Sequence, residues 1–266
     1  MDEIKDRFNN FFKVIKVDDN TYAIKEFKIS YDANCFLIIE KGEAILIDSL
    51  SGIYPDFIFD LEKLFNVTIN KLYLTHAHYD HFGGYDEKII NEVYLSDACS
   101  DRLKNYYLKD EDVRKEIDDG GNSNYPPNFD INTYKVKKIN NFKFFESDNF
   151  VFGNRCFEII KTPGHSKDSV CFYEKDKGYL YTGDTVYLGV IDIFEDPSRN
   201  FNDYINSIKK LKDKKVSKYL CGHGQAVVLD NELDLKMIYQ KIRNLKLEKN
   251  QTLFKATEKI SFFIKE

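Results

Sequence analysis

The order of periodic segments predicts an α+β protein with two sheets and helices outside them. Three observations carry this. Short apolar runs bounded by turn residues open the chain. A single stretch of helical spacing then precedes a further strand. A second block of strands, built around a tight turn, closes with another strand and helix. A simple repeat of strand, helix and strand would alternate more regularly.

Thr21–Ile24, Cys35–Ile39 and Ala44–Ile47 read as the opening strands. Asp56 to Phe65 carries Phe57, Ile58, Leu61, Leu64 and Phe65 at helical spacing. Lys71–Thr75 and Glu92–Leu95 read as strands, and Asp97–Leu108 as a helix with Ser96 or Asp97 as its cap. Asp118–Asp130, with Gly120-Gly121 and Pro126-Pro127, is the clearest loop. Strands resume from about Tyr134 to Lys161. Val170–Tyr173 and Tyr179–Thr182 flank a hairpin turn at Lys175–Gly178. Phe201–Leu211 is helical, Lys218–Cys221 a short strand, and the rest from about Asn231 mostly helical. The chain thus reads as a single domain over 1–266, with a lid-like insertion near 99–132 and a helical C-terminal tail, 231–266.

Composition narrows the class. Of 266 residues, 42% are hydrophobic and 31% charged, as in an ordinary globular protein. The net charge is −5 and basic residues are mixed with acids, so no footprint for nucleic acid is expected. No window reaches the ~20 apolar residues of a membrane span. The charged start lacks a secretory signal, and the five cysteines are odd in number and far apart. Buried reduced thiols and a cytoplasmic location follow as expectations.

All five histidines fall in short, glycine-flanked motifs: Thr75-His76-Ala77-His78-Tyr79-Asp80-His81 before Phe82-Gly83-Gly84, Thr162-Pro163-Gly164-His165, and Cys221-Gly222-His223-Gly224. Thr182-Gly183-Asp184-Thr185 adds a carboxylate. In the strand reading each motif directly follows a strand. The natural partition places His76, His78 and His165 on one metal and Asp80, His81 and His223 on a second. Asp184 and a hydroxide bridge the two. Three imidazoles plus a solvent position are a catalytic arrangement rather than a structural one. Nitrogen and oxygen donors suit two Zn2+ ions but also admit Fe or Mn.

These motifs resemble the metallo-β-lactamase superfamily of hydrolases over roughly Thr21 to Gly224. The resemblance implies a four-layer αββα sandwich with the metals at one edge of the sheets. Ile45-Leu46-Ile47-Asp48 is similar to that superfamily's early strand ending in Asp, which implies that Asp48 supports the ligands. Asp184 stands where typical zinc-dependent β-lactamases carry Cys or Ser, which argues against antibiotic hydrolysis. The stretches Thr162–Cys171 and Leu180–Tyr187 are most similar to the acyl-CoA hydrolase branch, with glyoxalase II next. The tail after His223 is shorter than the glutathione-binding helical domain of glyoxalase II, and Cys221 replaces the usual Pro.

The expected activity is therefore a dinuclear-metal hydrolase with a bridging hydroxide, cleaving an acyl thioester of the acyl-CoA type in a small-molecule substrate. A lactonase and an iron-dependent persulfide dioxygenase are the alternatives. Asp80 would orient the hydroxide and move its proton. Tyr187 would either donate to the developing oxyanion or only pack. Lys167 would either meet a CoA phosphate or lie on the surface. The aromatic stretch Asn105–Leu108 and the 118–130 loop form the expected lid. Oligomeric state is not legible.

Overall fold

The computed structural model describes residues 2–27, 33–118, 125–193, 196–224, 226–245 and 253–264. The chain divides into two compact units, Met1–Phe145 and Glu146–Glu266.

The first unit contains helices α1 (Asp2–Asn9), α2 (Phe57–Phe65), α3 (Tyr79–Phe82) and α4 (Asp110–Ile117). Its strands are β1 (Phe12–Asp18), β2 (Thr21–Glu26), β3 (Asn34–Glu40), β4 (Glu43–Ile47), β5 (Thr68–Tyr73), β6 (Glu92–Leu95) and β7 (Lys143–Phe144). They form one sheet in chain order. β1 to β4 pair antiparallel in succession. β4, β5, β6 and β7 pair parallel, and parallel neighbours need crossovers. The crossovers carry α2, α3 and α4 in turn. β3 and β4 are buried almost throughout, which explains their unbroken apolar runs. Phe57, Ile58 and Leu61 of α2 join Phe8 and Phe12 in the core, where the Phe8 and Phe12 rings stand 4.5 Å apart.

The second unit contains β8 (Asn149–Phe152), β9 (Arg155–Lys161), β10 (Val170–Glu174), β11 (Tyr179–Gly183), β12 (Gly189–Ile193), β13 (Lys218–Cys221), β14 (Val228–Asp230), β15 (Leu253–Lys255) and β16 (Ile260–Ile264). Its helices are α5 (Phe201–Leu211) and α6 (Leu235–Ile242). The larger sheet has the order β14-β13-β11-β10-β9-β8, and a smaller one β12-β16-β15. β8 to β11 are an antiparallel meander, whereas β11 and β13 pair parallel across α5. Asn200 caps α5 by accepting the Asp203 amide, and Asp234 caps α6 by accepting that of Met237.

The structure corrects several sequence expectations. Asp97–Leu108 is not a helix: only Ser100–Leu103 makes a 3-10 turn, because Cys99 adopts the left-handed region at φ 58°. The helix lies one segment later, at α4. There Asp110, Glu111 and Asp112 face the positive helix end and Val113 and Ile117 bury one face. Tyr134–Asn141 contains no strand. Among the described residues the tail from 231 is helical only at α6. Ile260–Ile264 alternates in burial with period two and pairs parallel with β12, so it is a strand, as is Leu253–Lys255. Of the expected 118–130 loop, residues 119–124 lie outside the described residues. Among the described residues no helix is long and apolar enough to cross a membrane.

The five cysteines form no disulfide, and Cys35, Cys171 and Cys221 are fully buried. In the second unit Arg155 pairs with Glu174 through Nε and Nη2 at 2.8 and 2.6 Å, both residues being almost fully buried. Removing one partner strands a buried charge. Arg155→Met is therefore expected to cost on the order of 3–5 kcal/mol in urea unfolding. A loss below about 1 kcal/mol would mean that water screens the pair as it does at a surface.

Candidate metal centre

In the first unit the donors leave the carboxyl ends of parallel strands. β5 ends at Tyr73, and Thr75 to His81 run through a short loop into the single turn α3. His76, His78, Asp80 and His81 are all buried. The His76 ring lies 4.5 Å from that of His78 and 4.1 Å from that of His81. The Asp80 Oδ2 is 3.9 Å from His81 Nε2.

Asp48 follows β4, the parallel neighbour of β5, and its amide donates to the Tyr73 carbonyl at 3.0 Å. Its buried carboxylate accepts the Thr75 amide at 2.8 Å, the Thr75 hydroxyl at 2.7 Å and His81 Nδ1 at 2.8 Å. A carboxylate can only accept, so His81 carries its proton on Nδ1. Thr75 has spent its hydroxyl proton on Asp48. Its oxygen, 3.1 Å from His76 Nδ1, therefore accepts from that ring as well. For both imidazoles Nε2 is left as the nitrogen bearing the lone pair, which is the state a metal ligand needs.

Gly83 and Gly84 permit the close approach that this arrangement requires. A Cβ on Gly83 would lie 2.0 Å from the Ser51 carbonyl oxygen, and one on Gly84 would lie 2.0 Å from that of Ser49. The loop after Asp48 thereby passes directly over α3, and the Ser49 amide donates to the His81 carbonyl at 2.7 Å. A residue without a Cβ is what permits both approaches.

In the second unit β9, β11 and β13 run in one direction, so their carboxyl ends share an edge of the sheet. His165 follows β9, Asp184 follows β11 and His223 follows β13, and all three are buried. His165 Nε2 lies 3.5 Å and His223 Nε2 3.3 Å from the same oxygen, Asp184 Oδ2. His165 Nδ1 donates to the Asp192 carbonyl of β12 at 2.7 Å, which again leaves Nε2 as the donor nitrogen. Gly222 makes room for Asp184: a Cβ there would lie 2.6 Å from its Oδ1. α5 clamps the turn before His165, since Ser207 Oγ donates to the Pro163 carbonyl at 2.7 Å and the Asn200 amide to that of Gly164 at 3.0 Å.

The other expected residues divide. Tyr187 is buried with its ring 5.8 Å from that of His223, but its hydroxyl donates to the Val190 carbonyl at 2.8 Å. That bond engages the phenolic proton, and burial holds the phenol well above its ordinary pKa. Lys167 is exposed two residues from His165. The Cys221 thiol is pushed up to about 12, chiefly by burial. Sequence reasoning missed Thr75 as a support, although it adjoins His76, and the Asp192 carbonyl, which carries no side-chain signal.

The comparisons with known proteins agree with this chemistry. The metallo-beta-lactamase superfamily profile matches residues 31–223. The chain is a member of the metallo-β-lactamase superfamily, whose hydrolases bind divalent metal, often zinc. It is 29% identical over 159 residues to the acyl-coenzyme A thioesterase MBLAC2 of Gallus gallus, covering 56% of this chain and 54% of that protein. A hydroxyacylglutathione hydrolase of Pelagibacter ubique is 26% identical over 238 residues, 86% of this chain and 84% of that one. The probable polyketide biosynthesis zinc-dependent hydrolase BaeB of Bacillus velezensis is 25% identical over 199 residues, 73% and 74% of the two chains. The chain spans 54% to 56% of the length of two of the curated relatives it matches. A metallo-beta-lactamase family protein from Thermus thermophilus superposes with a TM-score of 0.64 at 18% identity, over 86% of this chain and 79% of that one. The α+β class and the metallo-β-lactamase fold expected from the sequence are thus those of the chain.

The Asp48 network generates a prediction. Asp48→Asn replaces an acceptor of three hydrogen bonds by a group that also donates, and is expected to weaken zinc affinity about 10- to 100-fold in chelator competition. Cys221→Ala is expected to leave zinc content per chain unchanged. An unaltered affinity in Asp48→Asn would show that the ligands hold their orientation without it.

Proposed function

We propose that the chain is a dinuclear-metal hydrolase of acyl thioesters, acting on substrates of the acyl-CoA type. His76, His78 and His165 would hold one ion, Asp80, His81 and His223 the other, with Asp184 between them. One observation carries the reading: Asp184 Oδ2 has the Nε2 atoms of His165 and His223 on it at nearly equal distance, as a bridging oxygen between two ligand sets would. The anchored Nδ1 atoms of His76, His81 and His165 support it, because each ring presents Nε2.

The donor set, imidazole and carboxylate without thiolate, suits Zn2+ and admits Fe or Mn. Bound ions would supply Lewis acidity toward a carbonyl and bring water within reach of deprotonation near neutral pH. The chain's own residues do the remaining work. The Asp80 carboxylate beside His81 would orient the attacking water and take up its proton. Asp48 and Thr75 keep His81 and His76 in the required tautomer. Tyr187, bound to the Val190 carbonyl, would act by packing against His223 rather than by donating to substrate. Lys167, exposed two residues from His165 in the sequence, would meet an anionic group such as a CoA phosphate.

The thioester choice is supported by relatives of two kinds. One is named a thioesterase of acyl-coenzyme A and the other a hydrolase of hydroxyacylglutathione, and both names describe an acyl group carried on a thiol. Likeness to β-lactamase structures speaks to fold alone, and Asp184 stands where a typical β-lactamase has Cys or Ser.

Zinc-loaded protein is expected to release thiol from short-, medium- or long-chain acyl-CoA, with Asp80→Asn lowering the rate by about 10²-fold or more. Thiol titration over a chain-length series would read this. Release from none of them would overturn the thioester reading. Hydrolysis of lactones, or iron-dependent oxygen uptake with a thiol persulfide, would then identify the lactonase or dioxygenase alternative.

A further inference from the structure

Tyr106 lies within the segment expected to be a lid and Tyr134 just after it; the first bonds to the backbone of α3 and the second to the loop that follows Asp48. Tyr106 lies over the start of α3. Its hydroxyl oxygen accepts the Tyr79 amide at 3.3 Å, and its ring stands edge-on to Tyr79 and Phe82, each at 6.1 Å. Tyr79 is the residue between His78 and Asp80. The adjacent Tyr107 ring lies 6.0 Å from the His78 imidazole and 4.7 Å from that of Tyr106.

Tyr134, two residues beyond the segment, is buried and donates its hydroxyl to the Ser51 carbonyl at 2.7 Å. Ser51 belongs to the loop that starts at Asp48. That loop holds two non-glycine residues in the left-handed region, Asp48 at φ 59° and Leu50 at φ 68°. Such conformations persist only where neighbouring contacts impose them. Glu26, buried at the end of β2, supplies one anchor by accepting the Ser51 amide at 3.2 Å and its hydroxyl at 2.9 Å. Tyr134 supplies another. It is itself tied to α4, since Arg114 Nη1 donates to its carbonyl at 2.9 Å, and Asp110 accepts the Val136 amide at 3.0 Å.

We infer that Tyr106 and Tyr134 are positioning residues for the metal centre. Tyr106 sets the turn bearing His78, Asp80 and His81, and Tyr134 sets the loop through which Asp48 orients His76 and His81. This rests on the reading that these residues hold metal, and it is independent of which bond the enzyme cleaves.

Hydroxyl-only substitutions test the inference. Co2+ would be titrated into metal-free, full-length protein, reading the visible absorption band and the dissociation constant. Tyr106→Phe, Tyr134→Phe and a control, Tyr125→Phe, would be compared. Tyr125 donates to Asp118 at 2.7 Å within the same segment, so its loss matches the others as a structural lesion. All three variants are expected to lose a similar, small amount of thermal stability. Only Tyr106→Phe and Tyr134→Phe are expected to bind Co2+ about tenfold more weakly and to shift its band. Affinity and spectra equal to those of Tyr125→Phe would overturn the inference. Because no substrate enters the assay, failure of the thioesterase reading leaves the result intact. If the unsubstituted protein bound no Co2+, the metal reading itself would fall, and this inference with it.

Discussion

The Asp48 carboxylate is the junction on which the first unit's donor set depends. It receives two bonds from Thr75 and one from His81, and through the Thr75 hydroxyl it also sets the protonation of His76. A single buried acceptor thus decides the tautomer of two imidazoles and the path of the loop between them. Burial makes this arrangement decisive, because in a low dielectric an acceptor left unsatisfied is costly and a satisfied one holds its donors firmly. The left-handed backbone at Asp48 shows that the loop bends to serve the carboxylate.

Strand direction explains why the donors can gather at all. In a parallel pair the carboxyl ends lie side by side, so residues distant in sequence emerge together. Asp48 and Thr75 meet because β4 and β5 run parallel. Asp184 and His223 meet because β11 and β13 do. His165 joins them because two antiparallel steps, β9 to β10 and β10 to β11, restore the same direction. Each unit therefore uses one topological device, and glycine at the closest approaches lets the loops converge.

The supports are of two chemical kinds. Asp48, Thr75 and the Asp192 carbonyl act on ring nitrogens directly. Glu26, Ser207, Tyr106 and Tyr134 hold backbone, or a side chain that in turn holds backbone. The second kind bears on the course of a loop rather than on a ring nitrogen. A helix or strand alone would not supply it, since the donors sit on loops and on the single turn α3.

The sequence by itself determined the α+β class, most strands, helices α2 and α5, and the residues able to hold metal. These are local signals: apolar periodicity, and histidines that stand in glycine-flanked motifs with none left over. Asp48 was legible only because its motif resembles that of a known family. The partners that orient the ligands, Thr75 through Asp48, the Asp192 carbonyl, and Tyr106 and Tyr134, were decided by tertiary structure, because hydrogen bonds between residues far apart leave no periodic trace. The same reason accounts for the errors. The 97–108 stretch has helical composition, but Cys99 turns left-handed and its tyrosines pack on Tyr79, Phe82 and His78. The tail after α6 pairs with β12, a partner far away in sequence, and so becomes a strand. Tyr187, for which packing and oxyanion donation were both open in the sequence, gives its hydroxyl proton to the Val190 carbonyl in the folded chain.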